Sequence, residues 1–327
     1  QPMNYHFYVI NNTAFNAFAG PGAHIFINSG LITTLKNEEE LAGIISHEIA
    51  HVSSRHISSR IEQAKKIQIG SLLGLIAGAV LAANNPKEGT AVINTTMAAS
   101  QTAMLAYSRE HEMQADHVGF VNLKKAGYSG RGFVSALETM RKSQVYDTSS
   151  VPTYLLTHPS SDDRVAYMRS VMKSLGYQKV DFREDQNKEF YMVQTWITAN
   201  LESLDAAEQK FSDRRLKNTD DHQALYGMAI VMSRKSNFLQ SIELLETALK
   251  YDLMNTRYRE ELGKQYFLLG EIRKSVEILE YLDTDTTQSQ LYLARGYHEL
   301  SRFSEAAEIY ERIIDHHPDD EKVRYFL

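Results

Sequence analysis

The sequence contains no cysteine among its 327 residues. Disulfide bonds and thiolate metal sites are therefore excluded, and any bound metal must use His, Asp or Glu side chains. An excess of basic residues is also missing, because the formal net charge is −6 at pH 7. Nucleic acid is therefore not an expected partner.

Long hydrophobic runs are absent as well. The longest nearly apolar stretch, at 69–83, is shorter than the ~20 residues that a membrane-spanning helix needs. This length favours a buried helix or a helix beside a functional site. Peripheral membrane contact is the alternative, and the basic residues Lys65 and Lys66 before the stretch are compatible with it. All six prolines lie outside the helices that the pattern predicts.

A chain of this length predicts two domains. We assign the first to residues 1–175, a polar linker to 176–188 and the second domain to 189–327. In the first domain, residues 5–10 and 24–28 have the aromatic and β-branched composition of strands. The chain opens at Gln1 without a signal-like segment, as expected of a trimmed mature protein or a recombinant fragment.

The second domain contains an internal repeat. Matching residues recur 34 and then 31 residues later, which predicts helix–turn–helix repeats of the tetratricopeptide type at about 222–255, 256–286 and 287–320. An irregular helical bundle would not produce so many matching columns. The columns are Ala229/Gly263/Ala294, Met232/Tyr266/Tyr297, Phe238/Ile272/Phe303, Ser241/Ser275/Ala306, Leu245/Leu279/Tyr310 and Ala248/Leu282/Ile313.

The first domain carries the pattern HExxH on a predicted helix. Asn37 and Glu40 form a capping-box pattern at its start. His47 and His51 are four residues apart, so they point the same way and can bind one metal ion. Glu48 reaches the same side, where it can take a proton from a metal-bound water. This pattern is typical of a zinc site, although HExxH alone can occur by chance.

A third ligand must come from elsewhere in the chain. The extended pattern HExxHxxGxxH is excluded, because Ser54 and Ile57 stand at its glycine and third histidine positions. A second predicted helix, at about 95–125, offers Glu112 and Asp116 on one face. One of them could bind the metal while the other holds a ligand histidine by its second nitrogen. A solvated acidic face is the alternative.

Three blocks of sequence resemble the HtpX and CAAX-prenyl-endopeptidase superfamily of zinc peptidases. The resemblance covers about residues 4–170, with the blocks in the expected order. It rests on Tyr107-Ser108-Arg109-x-x-Glu112-x-x-Ala115-Asp116, on Asn16-Ala17-Phe18-Ala19-x-Pro21-Gly22 followed by Gly30-Leu31-Ile32, and on His158-Pro159 with Arg164. Gln114 departs from the pattern, because many relatives have an acidic residue there.

The resemblance implies one zinc ion per chain, with His47, His51 and Glu112 as ligands and Glu48 as the general base. It also implies that the carboxylate of Asp116 supports a ligand side chain without binding the metal. The implied fold is an α+β zincin-type (gluzincin) peptidase domain, mostly helical with a small sheet, followed by an all-α tetratricopeptide repeat solenoid.

Together with the repeats, the resemblance implies an endopeptidase acting on protein or peptide substrates. It also implies a periplasmic location, a role in outer-membrane protein quality control and repeats that bind other proteins, such as outer-membrane assembly machinery. A repeat-based chaperone or adaptor with a non-catalytic zinc site is the alternative.

Three other histidines lie within or beside these motifs. His158 lies in the third block, where it could donate to an oxyanion or occupy the fourth zinc position as a gate; an ordinary loop histidine is the alternative. We place His56 and His111 outside the site, because each is expected on a different helix face from the ligands. Strand 24–28 or the segment 16–19 could bind an extended substrate by β-addition.

Overall fold

The computed structural model describes residues 3–105, 109–146, 154, 158, 162–174, 187–282 and 286–316. The chain divides into two compact units, Gln1–Phe190 and Tyr191–Leu327. The protein is mostly helical with a small sheet in the first unit. Most of the predicted linker at 176–188 lies outside the described residues, so that boundary stays a prediction.

The sheet of the first unit has three strands within the described residues: β1 (His6–Ile10), β2 (Ala17–Gly20) and β3 (His24–Asn28). β3 is central, parallel to β1 and antiparallel to β2. The two strands expected from composition are confirmed, whereas β2 was not predicted. The expectation that 24–28 offers a free edge is wrong, because β3 is paired on both sides.

Helix α1 (Ser29–Thr34) follows the sheet, and α2 (Glu38–Ser53) carries the HExxH residues. The predicted cap is confirmed: the Asn37 side chain accepts a hydrogen bond of 2.9 Å from the Glu40 backbone N–H. Glu40 reaches back to the backbone N–H of Lys36, also at 2.9 Å, one residue earlier than in the usual capping box. These bonds fix where the site helix begins.

Helices α3 (His56–Asn84) and α4 (Pro86–Leu105) form a hairpin. The expectation of a buried helix at 69–83 is wrong, because its large apolar side chains are mostly exposed; they are Ile69, Leu72, Leu73, Ile76 and Val80. Pro86 opens α4, a position where the missing N–H costs no hydrogen bond. No helix in the described part of the chain combines the length and apolar character required to cross a membrane.

The second site helix is α5 (Arg109–Lys125), followed by α6 (Arg131–Tyr146) and α7 (Asp162–Ser174). The helix predicted at 95–125 therefore corresponds to the end of α4 and all of α5, and residues 106–108 lie outside the described part. α5 approaches α2 at Gly119, where a Cβ atom would lie 3.1 Å from the backbone nitrogen of His47. This contact brings the acidic face of α5 against the HExxH helix.

The second unit is built from consecutive helices, of which the first begins three residues before the unit boundary. They are α8 (Lys188–Leu201), α9 (Leu204–Lys217), α10 (His222–Arg234), α11 (Phe238–Tyr251), α12 (Thr256–Leu269), α13 (Ile272–Leu279), α14 (Thr287–Glu299) and α15 (Phe303–His316). The small residues Ala229, Gly263 and Ala294 are all buried, as close helix packing requires. The repeat boundaries stay a prediction.

Candidate metal centre

Four buried side chains converge in the first unit. His47 and His51 come from α2, Glu112 from α5 and His158 from the segment between α6 and α7. One nitrogen or oxygen atom of each lies within 4.8 Å of all the others. The Nε2 atoms of His47 and His51 are 3.0 Å apart. Such a group can hold a metal ion, and we call it the ligand group.

The carboxylate of Glu112 faces all three histidines. Its oxygens lie 3.4 Å from Nε2 of His47, 3.4 Å from Nε2 of His51 and 3.1 Å from Nδ1 of His158. A solvated acidic face is therefore the wrong alternative for Glu112, which is 1 % exposed. Burial alone would raise the pKa of Glu112, but His158 and the other two histidines hold it well below its usual range. Glu112 is thus an anionic oxygen donor.

Asp116 contacts the His47 ring on the side away from the ligand group. Its Oδ1 lies 3.0 Å from Nδ1 of His47, the nitrogen that does not face His51. Arg164 on α7 braces this carboxylate, with Nε donating to Oδ2 at 2.8 Å and Nη2 to Oδ1 at 2.7 Å. Nη1 of Arg164 also lies 2.7 Å from Glu112. One guanidinium therefore fixes the two carboxylates of α5 relative to each other.

The charge around His47 controls its protonation. Burial lowers the pKa of this imidazole, but Asp116 and Glu112 outweigh burial and raise the pKa to about 9. Burial also acts to raise the pKa of Asp116, and Arg164 reverses this and lowers it. At neutral pH the His47 imidazole of the metal-free site therefore carries a proton on both ring nitrogens. A metal ion would have to displace the proton from the nitrogen that it binds.

Glu48 lies beside the ligand group and is fully buried. Its Oε1 accepts a hydrogen bond of 3.3 Å from the hydroxyl of Tyr154 and lies 3.6 Å from Nε2 of His158. Its Oε2 has no hydrogen-bond partner among the described residues. Burial raises the pKa of Glu48 above its usual range. The side chain is therefore a stronger base than an exposed glutamate and has an oxygen available for a further molecule.

His158 is fully buried within the ligand group, so the alternative of an ordinary loop histidine does not fit its position. Its ring stacks on Tyr154, with centroids 4.5 Å apart. Nδ1 of His158 lies 3.4 Å from Nε2 of His47. The gate and the oxyanion role both place a ring nitrogen here, so the choice between them stays a prediction. Residues 155–157 and 159–161 lie outside the described part.

The expectation that His56 lies on a face away from the ligand histidines is wrong, although His56 is not a member of the ligand group. α2 ends at Ser53, Arg55 adopts a left-handed conformation with φ of 58°, and His56 opens α3. Because the chain turns here, His56 folds back over the end of α2. Its Nδ1 lies 3.0 Å from Nδ1 of His51, and its side chain is buried. His111 remains outside the ligand group and stacks on His56, with centroids 4.3 Å apart.

The sequence interpretation gave no role to Tyr154, Gln114 or Arg164. Arg164 belongs to the third resembling block, which was a signal that it lies near His158. Tyr154 precedes His158 by one helical turn, and the His158 backbone N–H donates to its carbonyl at 2.7 Å. That spacing is too common in sequences to single out a residue without the structure.

A sequence profile described as Peptidase family M48 matches residues 1–172. The chain is 25% identical over 330 residues to a beta-barrel assembly-enhancing protease of Yersinia pestis, covering 97% of this chain and 65% of that protein.

Two further relatives extend the comparison. A putative beta-barrel assembly-enhancing protease of Vibrio cholerae is 29% identical over 261 residues, which is 79% of this chain and 53% of that protein. The mitochondrial metalloendopeptidase OMA1 of Arabidopsis thaliana is 30% identical over 156 residues, or 48% of this chain and 29% of that protein. The chain thus spans less than two thirds of the length of each of these relatives.

Proposed function

The chain belongs to peptidase family M48, and from this membership we propose that it is a zinc-dependent endopeptidase that hydrolyses peptide bonds of protein substrates. The observation that carries the proposal is the convergence of His47, His51 and Glu112, with Glu48 buried beside them. The peptidase unit is proposed to be a zincin of the gluzincin type, in which two histidines of HExxH and a glutamate from a later helix hold the metal.

The residues present fit zinc. Two imidazoles and one carboxylate form the donor set of a catalytic zinc site, which keeps one coordination position for water or substrate. Asp116 holds His47 so that Nε2 faces the other donors. When bound, zinc would polarise the scissile carbonyl and lower the pKa of a water molecule.

Glu48 is proposed as the general base. Its raised pKa makes it a better proton acceptor, and its Oε2 is available to the attacking water. The same carboxyl group would then pass the proton to the leaving amine. The hydroxyl of Tyr154 donates to Oε1 and so leaves Oε2 for the proton transfer.

His158 is proposed as a gate. Its Nδ1 lies among the donor atoms of the ligand group, and its Nε2 points toward Glu48. In this position the ring would occupy the place of substrate and water at rest. Substrate binding would then have to displace the ring before hydrolysis.

The substrate is proposed to bind as an added strand along β2. β2 lies at the edge of the sheet and packs against α2, the helix with the ligand histidines. An extended peptide paired with β2 would run beside the site and bind through backbone hydrogen bonds. This mode suits substrates that are unfolded or have exposed segments.

The second unit is proposed to be a tetratricopeptide repeat solenoid that binds other proteins. Successive helix pairs with small buried residues support the repeat assignment, and repeat arrays offer extended binding surfaces. By likeness to the relatives named beta-barrel assembly-enhancing protease, we propose a role in outer-membrane protein quality control or assembly and a periplasmic location.

The hairpin of α3 and α4 is proposed to contact a lipid surface. The exposed side chains of Ile69, Leu73 and Ile76 lie three to four residues apart and therefore form one stripe. Gly74 and Gly78 lie against α4, so the stripe is on the opposite side. Lys65 and Lys66 at the start of the stripe are exposed and suit anionic headgroups.

The central test is zinc analysis together with casein cleavage for the wild type and a Glu48→Gln variant. We expect the variant to keep the fold and the zinc and to lose nearly all cleavage, because the amide has the same shape but cannot accept the proton. Loss of zinc in the variant would contradict the role of Glu48. A wild type that binds zinc, suppresses aggregation of unfolded protein and cleaves nothing would favour the chaperone or adaptor alternative.

A further inference from the structure

The two nitrogens of His51 face different surroundings. Nε2 lies in the ligand group, 3.0 Å from Nε2 of His47 and 3.4 Å from Glu112. Nδ1 lies on the other side of the ring, 3.0 Å from Nδ1 of His56. Nε2 of His56 in turn lies 3.0 Å from Oε1 of Gln114. These atoms form a continuous chain from Gln114 through His56 to His51.

The donor and acceptor properties of the amide and the two imidazoles determine the direction of these hydrogen bonds. An amide oxygen can only accept, so the hydrogen bond to Gln114 places a hydrogen on Nε2 of His56. A neutral imidazole carries one N–H, which leaves Nδ1 of His56 as an acceptor. His51 must then donate from its own Nδ1. The lone pair of His51 is thereby placed on Nε2, the nitrogen that faces the ligand group.

We propose that His56 and Gln114 are positioning residues that fix the Nε2-ligating tautomer of His51 and so set the metal affinity of the site. This inference rests on the proposed function only in taking a metal to be bound by His51. It assigns a role to Gln114, whose side-chain oxygen lies 3.0 Å from Nε2 of His56. Here a neutral amide performs the accepting role.

The two ligand histidines are therefore held by unlike partners. His47 is held by the carboxylate of Asp116, which is itself paired with Arg164, whereas His51 is held by a neutral imidazole and, through it, by a neutral amide. A carboxylate behind both histidines would add another negative charge to a site that already contains Glu48, Glu112 and Asp116. The neutral chain orients the second ligand without that additional repulsion.

Local structure maintains the chain of hydrogen bonds. The left-handed turn at Arg55 brings His56 over the end of α2, and the stacked ring of His111 fixes the plane of the His56 ring. Gln114 lies two residues beyond Glu112 on α5, so one helix supplies both a ligand and the terminal acceptor. Gln114 is exposed and lines an open cleft of roughly 760 Å³ together with His56 and His111.

The test measures zinc affinity of the full chain by competition with a chromogenic chelator. We expect His56→Ala to weaken zinc binding by roughly 10–100-fold and Gln114→Leu to weaken it in the same direction, as loss of support behind a ligand does. Gln114→Glu keeps an acceptor and should retain or exceed wild-type affinity. His117→Ala is the matched control. This exposed histidine of α5 contacts Tyr167 and takes no part in the hydrogen bonds that link Gln114, His56 and His51.

A second measurement reads the tautomer directly. Nitrogen-15 spectra of the histidines in the zinc-loaded wild type should assign His51 a protonated Nδ1 and a metal-bound Nε2. The opposite tautomer would overturn the inference, as would a zinc affinity of His56→Ala within about twofold of the control, well short of the expected loss. A wild type that binds no zinc would refute the proposed metal site itself. A zinc-loaded wild type that cleaves nothing would refute only the proposed peptidase activity.

Discussion

The Oδ1 atom of Asp116 lies 3.0 Å from the Nδ1 atom of His47, and both side chains are buried. The contact ties a carboxylate on α5 to a ring on α2. It places Asp116 behind the ligand group and Glu112, one helical turn earlier, within it. The roles of the two acidic residues on one helix face therefore differ by position.

This arrangement predicts unequal losses of zinc affinity. Glu112→Ala removes a proposed ligand and should weaken binding most. Asp116→Ala should weaken it by roughly 10–100-fold, because only the support of His47 is lost. His111→Ala should have a smaller effect than either. Chelator competition measures all three, and a retained metal in Glu112→Ala beside a lost metal in His111→Ala would mean that the third ligand is wrong.

The metal-free protein should lose stability as the pH rises. In the folded state the pKa of His47 is about 9, whereas a histidine in the unfolded chain has an ordinary pKa of 6.5. A raised folded-state pKa stabilises the fold fully below pH 6.5, and this contribution disappears as the pH passes through 9. The free energy of unfolding should therefore fall over this range by on the order of 3 kcal/mol.

Denaturant unfolding of chelator-treated protein at several pH values measures this fall. His47→Gln is the control, since an amide does not titrate and its curve should lack the fall. Metal-loaded wild type should also lack it, because ligated His47 carries no proton at the ligating nitrogen. Parallel curves for metal-free wild type and His47→Gln would contradict the raised pKa.

His158→Ala separates the two roles left open for that residue. Loss of a gate should raise basal cleavage and self-cleavage, because the competent state is no longer depleted by a closed one. Loss of an oxyanion donor should instead lower kcat by about 10²–10³. Steady-state cleavage of casein and mass spectrometry of the stored enzyme distinguish these outcomes. Unchanged kinetics and zinc affinity would remove His158 from the mechanism.

Gly119 sets the spacing of the two ligand-bearing helices. A Cβ atom there would lie 3.1 Å from the backbone nitrogen of His47. Gly119→Ala should therefore move α5 from α2, lower stability by about 1–3 kcal/mol and weaken zinc binding. Gly70→Ala is the matched control, because a Cβ at that helical position meets open space. Equal effects of the two substitutions on zinc binding would contradict the argument.

The exposed stripe on α3 should bind lipid. Replacing Ile69, Leu73 and Ile76 together with Asn should reduce flotation with vesicles that contain phosphatidylglycerol, while casein cleavage persists. Lys65→Glu with Lys66→Glu should remove the preference for anionic over neutral vesicles. Leu216→Asn with Leu253→Asn is the control, because these exposed leucines lie in the second unit. Equal flotation of all variants would exclude the stripe as the lipid contact.

Features that depend on one helical turn could be predicted from the sequence. The cap at Asn37 and the common direction of His47 and His51 follow from helix geometry alone. The position of His56 could not, because Arg55 adopts a left-handed conformation that is uncommon for residues other than glycine. The sequence spacing from His51 then no longer measures an angle around one helix.

Contacts between distant segments were harder to predict. The central position of β3 depends on pairing with both β1 and β2, and the short strand β2 has little composition signal of its own. The contact of Tyr154 with Glu48 joins segments far apart in the chain. Such pairings depend on packing, which residue spacing does not encode.

The hairpin of α3 and α4 occupies the chain between His51 and Glu112. A metal bound by both residues would therefore act as a cross-link that closes this whole stretch into a loop. Closing a loop restricts the unfolded chain, so the metal would stabilise the fold beyond its local bonds. The same cross-link would clamp the two ends of the hairpin, so metal loading would determine how firmly the hairpin's apolar stripe is held.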